Sequence, residues 1–251
     1  MRRLDLNADI GEISGPEGRA LDQSILSAVT SCNIACGGHA GDADSMAATL
    51  EMAKKLGVRA GAHPSYPDRE GFGRRSVVIS ESDLKASLKD QVKTLKMLAD
   101  ERDITLTHLK PHGALYNGAA QDALLARIVA DVTVESGIGT LVGLPNSEMA
   151  KAAEEAGLDF LGEGFADRSY ELDGSLTPRD VDGAVLESEV AQKEQALRLA
   201  DGAVVTRTGP EIALEIQTIC LHGDTKGARE AAVGIRKALL AHGYELGAPD
   251  V

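Results

Sequence analysis

Asp9, His39, His63, Lys110 and His112 are the side chains of this sequence best suited to chemistry. Imidazole titrates near neutrality, so His39 and His112 can take up or release a proton at working pH. Lys110, two residues before His112, adds a fixed positive charge that suits a carboxylate or a developing oxyanion. Asp9, His39 and His63 have a second use, because carboxylate and imidazole are also ligands for a divalent metal. The sequence leaves both uses open. Asn7, Glu12, Glu163, Arg168, His222 and Asp224 are further polar candidates for holding a substrate. The glycines of Cys36-Gly37-Gly38-His39-Ala40-Gly41 permit close backbone approach to a ligand. Gly71-Phe72-Gly73-Arg74-Arg75 is a second loop, whose arginines suit a phosphate or carboxylate but equally a solvated edge.

These residues cluster where short β-like runs end. Residues 3–8 lead into Asn7, Asp9 and Glu12, and residues 32–36 into His39. Residues 58–62 lead into His63, and 104–109 into Lys110 and His112. Residues 140–144 form another run. Residues 158–162 lead into Glu163 and then Arg168, and 218–221 into His222 and Asp224. Amphipathic stretches lie between them. Residues 42–56 start at a capping Asp42 and stop at Gly57. A second helix opens at Ser80 and buries Leu84, Leu88, Val92, Leu95 and Leu98. Further helices run through Leu124, Ile128 and Val129, over 147–156, over 188–199, and through Ala228, Ala232, Ile235 and Leu239. Residues 165–179 read as a long polar loop, and 204–216 contain a small β excursion. Strands alternating with helices predict parallel pairing and right-handed crossovers. About seven such units without a linker predict one α/β domain over 1–251, a distorted parallel (β/α) barrel resembling a TIM barrel. Every strand end then opens on one mouth, which is where barrel enzymes do chemistry.

Composition narrows the function. With 26 basic and 39 acidic residues the net charge is −13, so no basic stripe is available for nucleic acid or an anionic membrane. Three Phe, four Tyr and no Trp disfavour a sugar-stacking platform. Three cysteines, an odd number in a chain this long, point to a reducing compartment and a cytoplasmic place. Cys32 and Cys36 are not a zinc pair, because four residues of strand span roughly 13 Å. No leader is visible, since Asp5, Asn7 and Asp9 interrupt the first apolar residues. The sequence lacks a P-loop, a Gly-x-Gly-x-x-Gly after the first strand, and a Gly-x-Ser-x-Gly elbow.

Five motifs together resemble the LamB/YcsF family. They are Asp5-Leu6-Asn7-Ala8-Asp9-Ile10-Gly11-Glu12, Asn33-Ile34-Ala35-Cys36-Gly37-Gly38-His39-Ala40-Gly41-Asp42, Gly61-Ala62-His63-Pro64, Lys110-Pro111-His112-Gly113-Ala114-Leu115-Tyr116-Asn117 and Cys220-Leu221-His222-Gly223-Asp224. Phe165-Ala166-Asp167-Arg168 fits as well. The sequence departs at Ala8 and Gly38, where the family pattern has Cys and Phe. The resemblance implies a seven-stranded barrel similar to polysaccharide deacetylases. It implies ring-opening hydrolysis of 5-oxo-L-proline to L-glutamate, with ATP as co-substrate and two other subunits as partners. A divalent metal, arriving with ATP or bound at the site, stays open, as does homo-oligomerisation. Two rival readings remain: a metal-dependent amide hydrolase or carbohydrate deacetylase without ATP, and a noncatalytic substrate-binding subunit.

Overall fold

Alternation along β1 (Arg3–Ile10) sets the plan of the molecule. Leu4, Leu6, Ala8 and Ile10 join the apolar core. Asp5, Asn7 and Asp9 are equally buried but bond to polar side chains from elsewhere around the barrel. The same two-residue period holds in β8 (Thr218–His222), where Ile219 and Leu221 enter the apolar core and Thr218 and His222 join the polar side. The computed structural model describes residues 2–223 and 227–248. Asp224 lies outside them.

Between those strands the chain forms α1 (Gly15–Leu26), β2 (Ser31–Ala35), α2 (Ala43–Leu56), β3 (Arg59–His63), α3 (Glu81–Asp100), α4 (Gly113–Gln121), α5 (Ala123–Glu135), β4 (Thr140–Gly143), α6 (Glu148–Ala156), β5 (Asp159–Phe165), α7 (Glu189–Ala200) and the hairpin β6 (Ala203–Val205) with β7 (Glu211–Ala213). After β8 come α8 (Ala228–Ala241) and the short β9 (Glu245–Leu246), which pairs with the start of β1. The main sheet is parallel, in the order β3-β2-β1-β8-β5-β4.

Residues 107–110 close the ring. Ala62 N–H donates to His108 O at 2.9 Å and Lys110 N–H to Ala62 O at 2.9 Å on one side. Leu109 N–H donates to Thr140 O at 3.0 Å, and Val142 N–H to Leu109 O at 2.9 Å, on the other. The predicted barrel is therefore present, but the predicted strand at 104–109 is not: only Leu109 pairs with both neighbours, as isolated bridges. The preceding residues finish α3 instead, where Arg102 and Ile104 both donate to Ala99 O.

Two helices also differ from expectation. α1 was not legible, because Gly15, Pro16 and Gly18 lower helix propensity at its start. The helical run leading to Leu124 breaks into α4 and α5 at Asp122, whose carboxylate accepts from Leu124 N–H and Leu125 N–H. α2 matches its reading, with a reciprocal Asp42–Ser45 cap and Gly57 left-handed at its end. Leu50, Leu84, Leu88, Val92, Leu95, Ile235 and Leu239 form the layer between helices and sheet. Each large aliphatic there contributes about 1.5–3 kcal/mol by leaving water. No helix among the described residues is long and apolar enough to cross a membrane.

Candidate active site

The inside of the barrel is polar, and its chemistry starts at Lys110. The β1 register sets Asp9 beside Asn33 of β2 and His222 of β8. Lys110 Nζ reaches Asp9 Oδ1 at 2.9 Å, Glu163 Oε1 at 2.9 Å and Cys220 Sγ at 3.0 Å. Its three N–H donors are thus all matched. Asn33 Nδ2 donates to Asp9 Oδ1 and to Asn7 Oδ1, both at 2.8 Å. Asn7 Nδ2 donates in turn to Glu163 Oε1 at 3.0 Å. Burial pushes the Asp9 carboxyl up, but His63 and Lys110 outweigh it and hold it well below the usual carboxylate range. Burial likewise pulls the Lys110 ammonium down, yet Asp9, Cys220 and Glu163 keep it well above its ordinary value. The pair is ionised at neutral pH.

Above this layer sit three histidines. His63 Nδ1 donates to the Lys110 carbonyl at 2.8 Å, and His112 Nε2 to the Phe72 carbonyl at 2.9 Å. Their remaining nitrogens, His63 Nε2 and His112 Nδ1, face each other at 3.0 Å. His39 stacks on His112 with ring centroids 3.7 Å apart, and its Nε2 lies 3.0 Å from Glu12 Oε1. Burial, with His39 and His63 adding to it, pushes His112 well below the usual imidazole range, so it stands neutral at pH 7. Gly113 makes this packing fit. Its φ is +58°, and a Cβ there would lie 2.5 Å from Gly73 O, on the loop whose Phe72 carbonyl holds His112. His222 Nδ1 is held by Asp167 at 2.8 Å, and its Nε2 lies 3.8 Å from Asp9 Oδ2.

A cavity of about 590 Å³ opens over these groups. Asp9, His63, Lys110, His112 and His222 line it, with Tyr116, Phe165, Arg74, Arg168 and Arg179 on the other walls. Arg168 is buried and anchored on Ala184 O and Thr177 O. Burial, with Arg179 and Asp167 acting in opposite senses on it, lowers its guanidinium to about 10, still charged at neutral pH. The Tyr116 hydroxyl is buried and turned towards the Glu163 carboxylate. Burial and the Glu163 carboxylate push that phenol well above 10, so it is a donor.

The structure brings Asp9, His39, His63, Lys110, His112 and His222 together and sorts the other predicted residues by depth. Asn7 and Glu163 lie beneath the mouth, bonded to Lys110 and Asn33, and do not line the cavity. Glu12 faces His39 and His112 rather than the open cavity. The ligand-type atoms of Glu12, His39, His63 and His112 lie within 4.8 Å of one another. Of the expected metal candidates Asp9, His39 and His63, the two histidines belong to that group; Asp9 lies beside it, with Oδ1 held by Lys110 and Asn33 and Oδ2 3.3 Å from His63 Nε2. Asn33, His108, Phe72, Tyr116 and Cys220 were not picked out as site residues from the sequence. Gly61 allows His108 to enter the barrel, since a Cβ there would lie 2.3 Å from its Nε2. Burial pushes the His108 imidazole down to about 4, so this ring is neutral and accepts or donates without charge.

The chain is thus a parallel β/α barrel with a buried cluster of histidines, carboxylates and one lysine at its mouth. The chain belongs to the LamB/YcsF family, whose model matches residues 4–250. It is 44% identical over 249 residues to the 5-oxoprolinase A subunit of Methylococcus capsulatus, covering 98% of this chain and 96% of that one. The crystal structure of the lactam utilization protein from Thermus thermophilus superposes with a TM-score of 0.88 at 35% identity, covering 99% and 100% of the two chains. The catalytic domain of a peptidoglycan N-acetylglucosamine deacetylase from Eubacterium rectale shares the fold alone, with a TM-score of 0.53 at 11% identity over 100% of this chain and 89% of that one.

Proposed function

We propose that the chain is the A component of a 5-oxoprolinase, a hydrolase that opens the cyclic amide of 5-oxo-L-proline to give L-glutamate. The observation that carries this reading is the convergence of Asp9, His63, His112 and Lys110 on one cavity in a chain that matches such subunits along its full length. ATP, with Mg²⁺, is the co-substrate, and two other subunits are the partners. The three free, buried cysteines suit a cytoplasmic place.

The chemistry explains the need for ATP. A five-membered lactam closes readily because its amine is held at high effective molarity to the carboxyl. Transfer of the γ-phosphoryl group to the lactam oxygen, on a partner subunit, makes the ring carbon attackable. Water adds to that carbon and gives up a proton to His112 Nδ1, which is neutral and turned inward. The C–N bond then breaks as the nitrogen takes a proton, leaving an acyl phosphate. A second water hydrolyses this to glutamate and phosphate. Asp9 holds the imidazolium that forms next to it, through His63, while Lys110 keeps Asp9 ionised. Arg168, on the cavity wall, meets the substrate carboxylate. Lys110 is too fully paired for that role.

A second reading, hydrolysis of an amide without ATP, is favoured by the Glu12–His39–His63–His112 cluster. One assay separates them. The pure chain is given 5-oxoproline and ATP, with and without the partner subunits, and glutamate and phosphate are measured. Glutamate release that needs both ATP and the partners supports the proposal. Release by the chain alone without ATP overturns it.

A further inference from the structure

In a chain whose net charge is −13, three arginines gather at one cavity. Arg74, Arg168 and Arg179 all border the space that His112 and Lys110 line. Arg168 is buried, at 3% exposed. Its Nε donates to Ala184 O and its Nη2 to Thr177 O, which leaves Nη1 without a bond among the described residues. No carboxylate among those residues pairs with it, and a buried cation in that state is costly unless a ligand brings the anion. Burial lowers its guanidinium to about 10, and Arg179 and Arg74 act on it in the same sense, so both stand near it. The loop 71–75 is divided: Arg75 turns to Asp68 at 2.6 Å on the surface, whereas Arg74 lies over the Phe72 ring at 4.8 Å and borders the cavity. Gly113 and Ala114 of the first turn of α4 border it too, and His112 gives that helix end no side-chain cap. A helix N-terminus adds to the attraction for an anion. Two carboxylates border the cavity: Asp9, held by Lys110, and Asp180, exposed at the rim.

One lactam carboxylate needs only one of these cations. A phosphoryl monoester brings about −1.5 to −2 further charge at neutral pH. We propose that Arg74 and Arg179 form a second anion subsite, which holds the phosphoryl group of an O-phosphorylated lactam while Arg168 holds its carboxylate. The inference rests on the ATP-dependent reading above. Guanidinium suits the role, because its planar fork meets phosphate oxygens two at a time. A cavity of about 590 Å³ has room for a five-membered ring carrying both anions. Held there, the phosphoryl group stays on the ring oxygen while water adds to the ring carbon. It remains on that oxygen as the C–N bond breaks, and it leaves as phosphate when the second water hydrolyses the acyl phosphate. The subsite thus selects the activated ring over the free one. ATP is a rival source of the same phosphoryl chemistry.

Calorimetric titration of the pure chain at constant ionic strength tests this without turnover. Inorganic phosphate is the probe for the phosphoryl group and 5-oxoproline the probe for the carboxylate. The expected result is one phosphate per chain, bound together with 5-oxoproline and not displaced by it. Arg74→Gln and Arg179→Gln each weaken phosphate binding at least about tenfold, the scale of a lost charge-assisted hydrogen bond, and leave 5-oxoproline binding unchanged. Arg179→Lys, which keeps the charge, recovers part of the loss. Arg198→Gln, outside the cavity and paired with Glu211, is the control and changes neither. If a Gln variant fails to fold, by circular dichroism, the wild-type titrations carry the test. No phosphate binding by the wild-type chain, competition between phosphate and 5-oxoproline, or folded variants that bind phosphate as wild type does would each overturn the proposal. So would ATP bound more tightly than phosphate and lost in the same variants, which would give the arginines to a nucleotide. Phosphate bound as expected by a chain that does not take 5-oxoproline keeps the phosphoryl subsite and counts against the lactam reading instead.

Discussion

Lys110 Nζ lies 2.9 Å from Asp9 Oδ1 with both side chains 2% exposed, so the centre of the barrel is an ion pair rather than an apolar plug. Glu163 completes it on the far side at 2.9 Å. Removing the cation would leave two buried carboxylates without the ammonium they share. Lys110→Met is expected to destabilise the chain by about 3–5 kcal/mol, seen as a lower urea midpoint. An unchanged midpoint would mean that the pair is solvated and carries little.

The same pair fixes the acid limb of stability. Asp9 titrates well below its value in the unfolded chain, because His63 and Lys110 outweigh the effect of burial. Its contribution is therefore present above about pH 4, the unfolded carboxylate value, and disappears as pH falls through the lower folded value. Thermal melts from about pH 7 to about pH 2 should show wild-type stability falling below about pH 4, with a shallower fall in Asp9→Asn. Parallel curves for the two would remove Asp9 from the account.

Asp22 works in the opposite direction. Burial raises its carboxyl to about 7, although Gly11 N–H donates to it at 3.2 Å. A folded value above the unfolded one means that stability is full below about pH 4 and is lost as pH rises towards 7. Asp22→Asn keeps an acceptor for Gly11 without the charge. It should gain on the order of 2–4 kcal/mol at about pH 8 and nothing at about pH 4, measured as the change in melting temperature at each pH.

The roles proposed for the mouth residues predict a different pattern. His112→Gln and Asp9→Asn should each lower turnover of the assembled complex by at least about a hundredfold, the scale of a lost general base. His242→Gln, on the outer end of α8, should cost almost nothing. Normal turnover in both mouth variants, with a dead His242→Gln, would move the site elsewhere.

Much of this was legible because parallel barrels put their strand ends on one face. His39, His63, Lys110, His112 and His222 each end or closely follow a run that forms or closes the sheet, so position alone marked them. Depth was not legible. β2 and β8 are buried along their whole length, and a strand with no exposed face gives no sign of which side looks into the barrel. Asn33 and Cys220 were missed for that reason. Phe72 was missed because its carbonyl acts, and a carbonyl leaves no mark in a sequence. Gly38, where the family pattern has Phe, shows its meaning only in three dimensions. A Cβ there would lie 2.3 Å from Gln91 Oε1, and Gln91 is tied to both backbone groups of Ser65. In this chain the Gln91 side chain fills the place that a larger residue 38 would need.

In the proposed reaction this chain opens the ring while a partner handles the ATP. Coupling in the complex carrying His112→Gln tests it most directly, as the ratio of glutamate to phosphate released from 5-oxoproline and ATP. The account predicts about one glutamate per phosphate in the wild-type complex. In the variant, phosphate release should continue while glutamate falls at least about a hundredfold, because the activated lactam forms and then loses its phosphate to water. A variant in which glutamate and phosphate fall by the same factor, or in which glutamate does not fall, would contradict it.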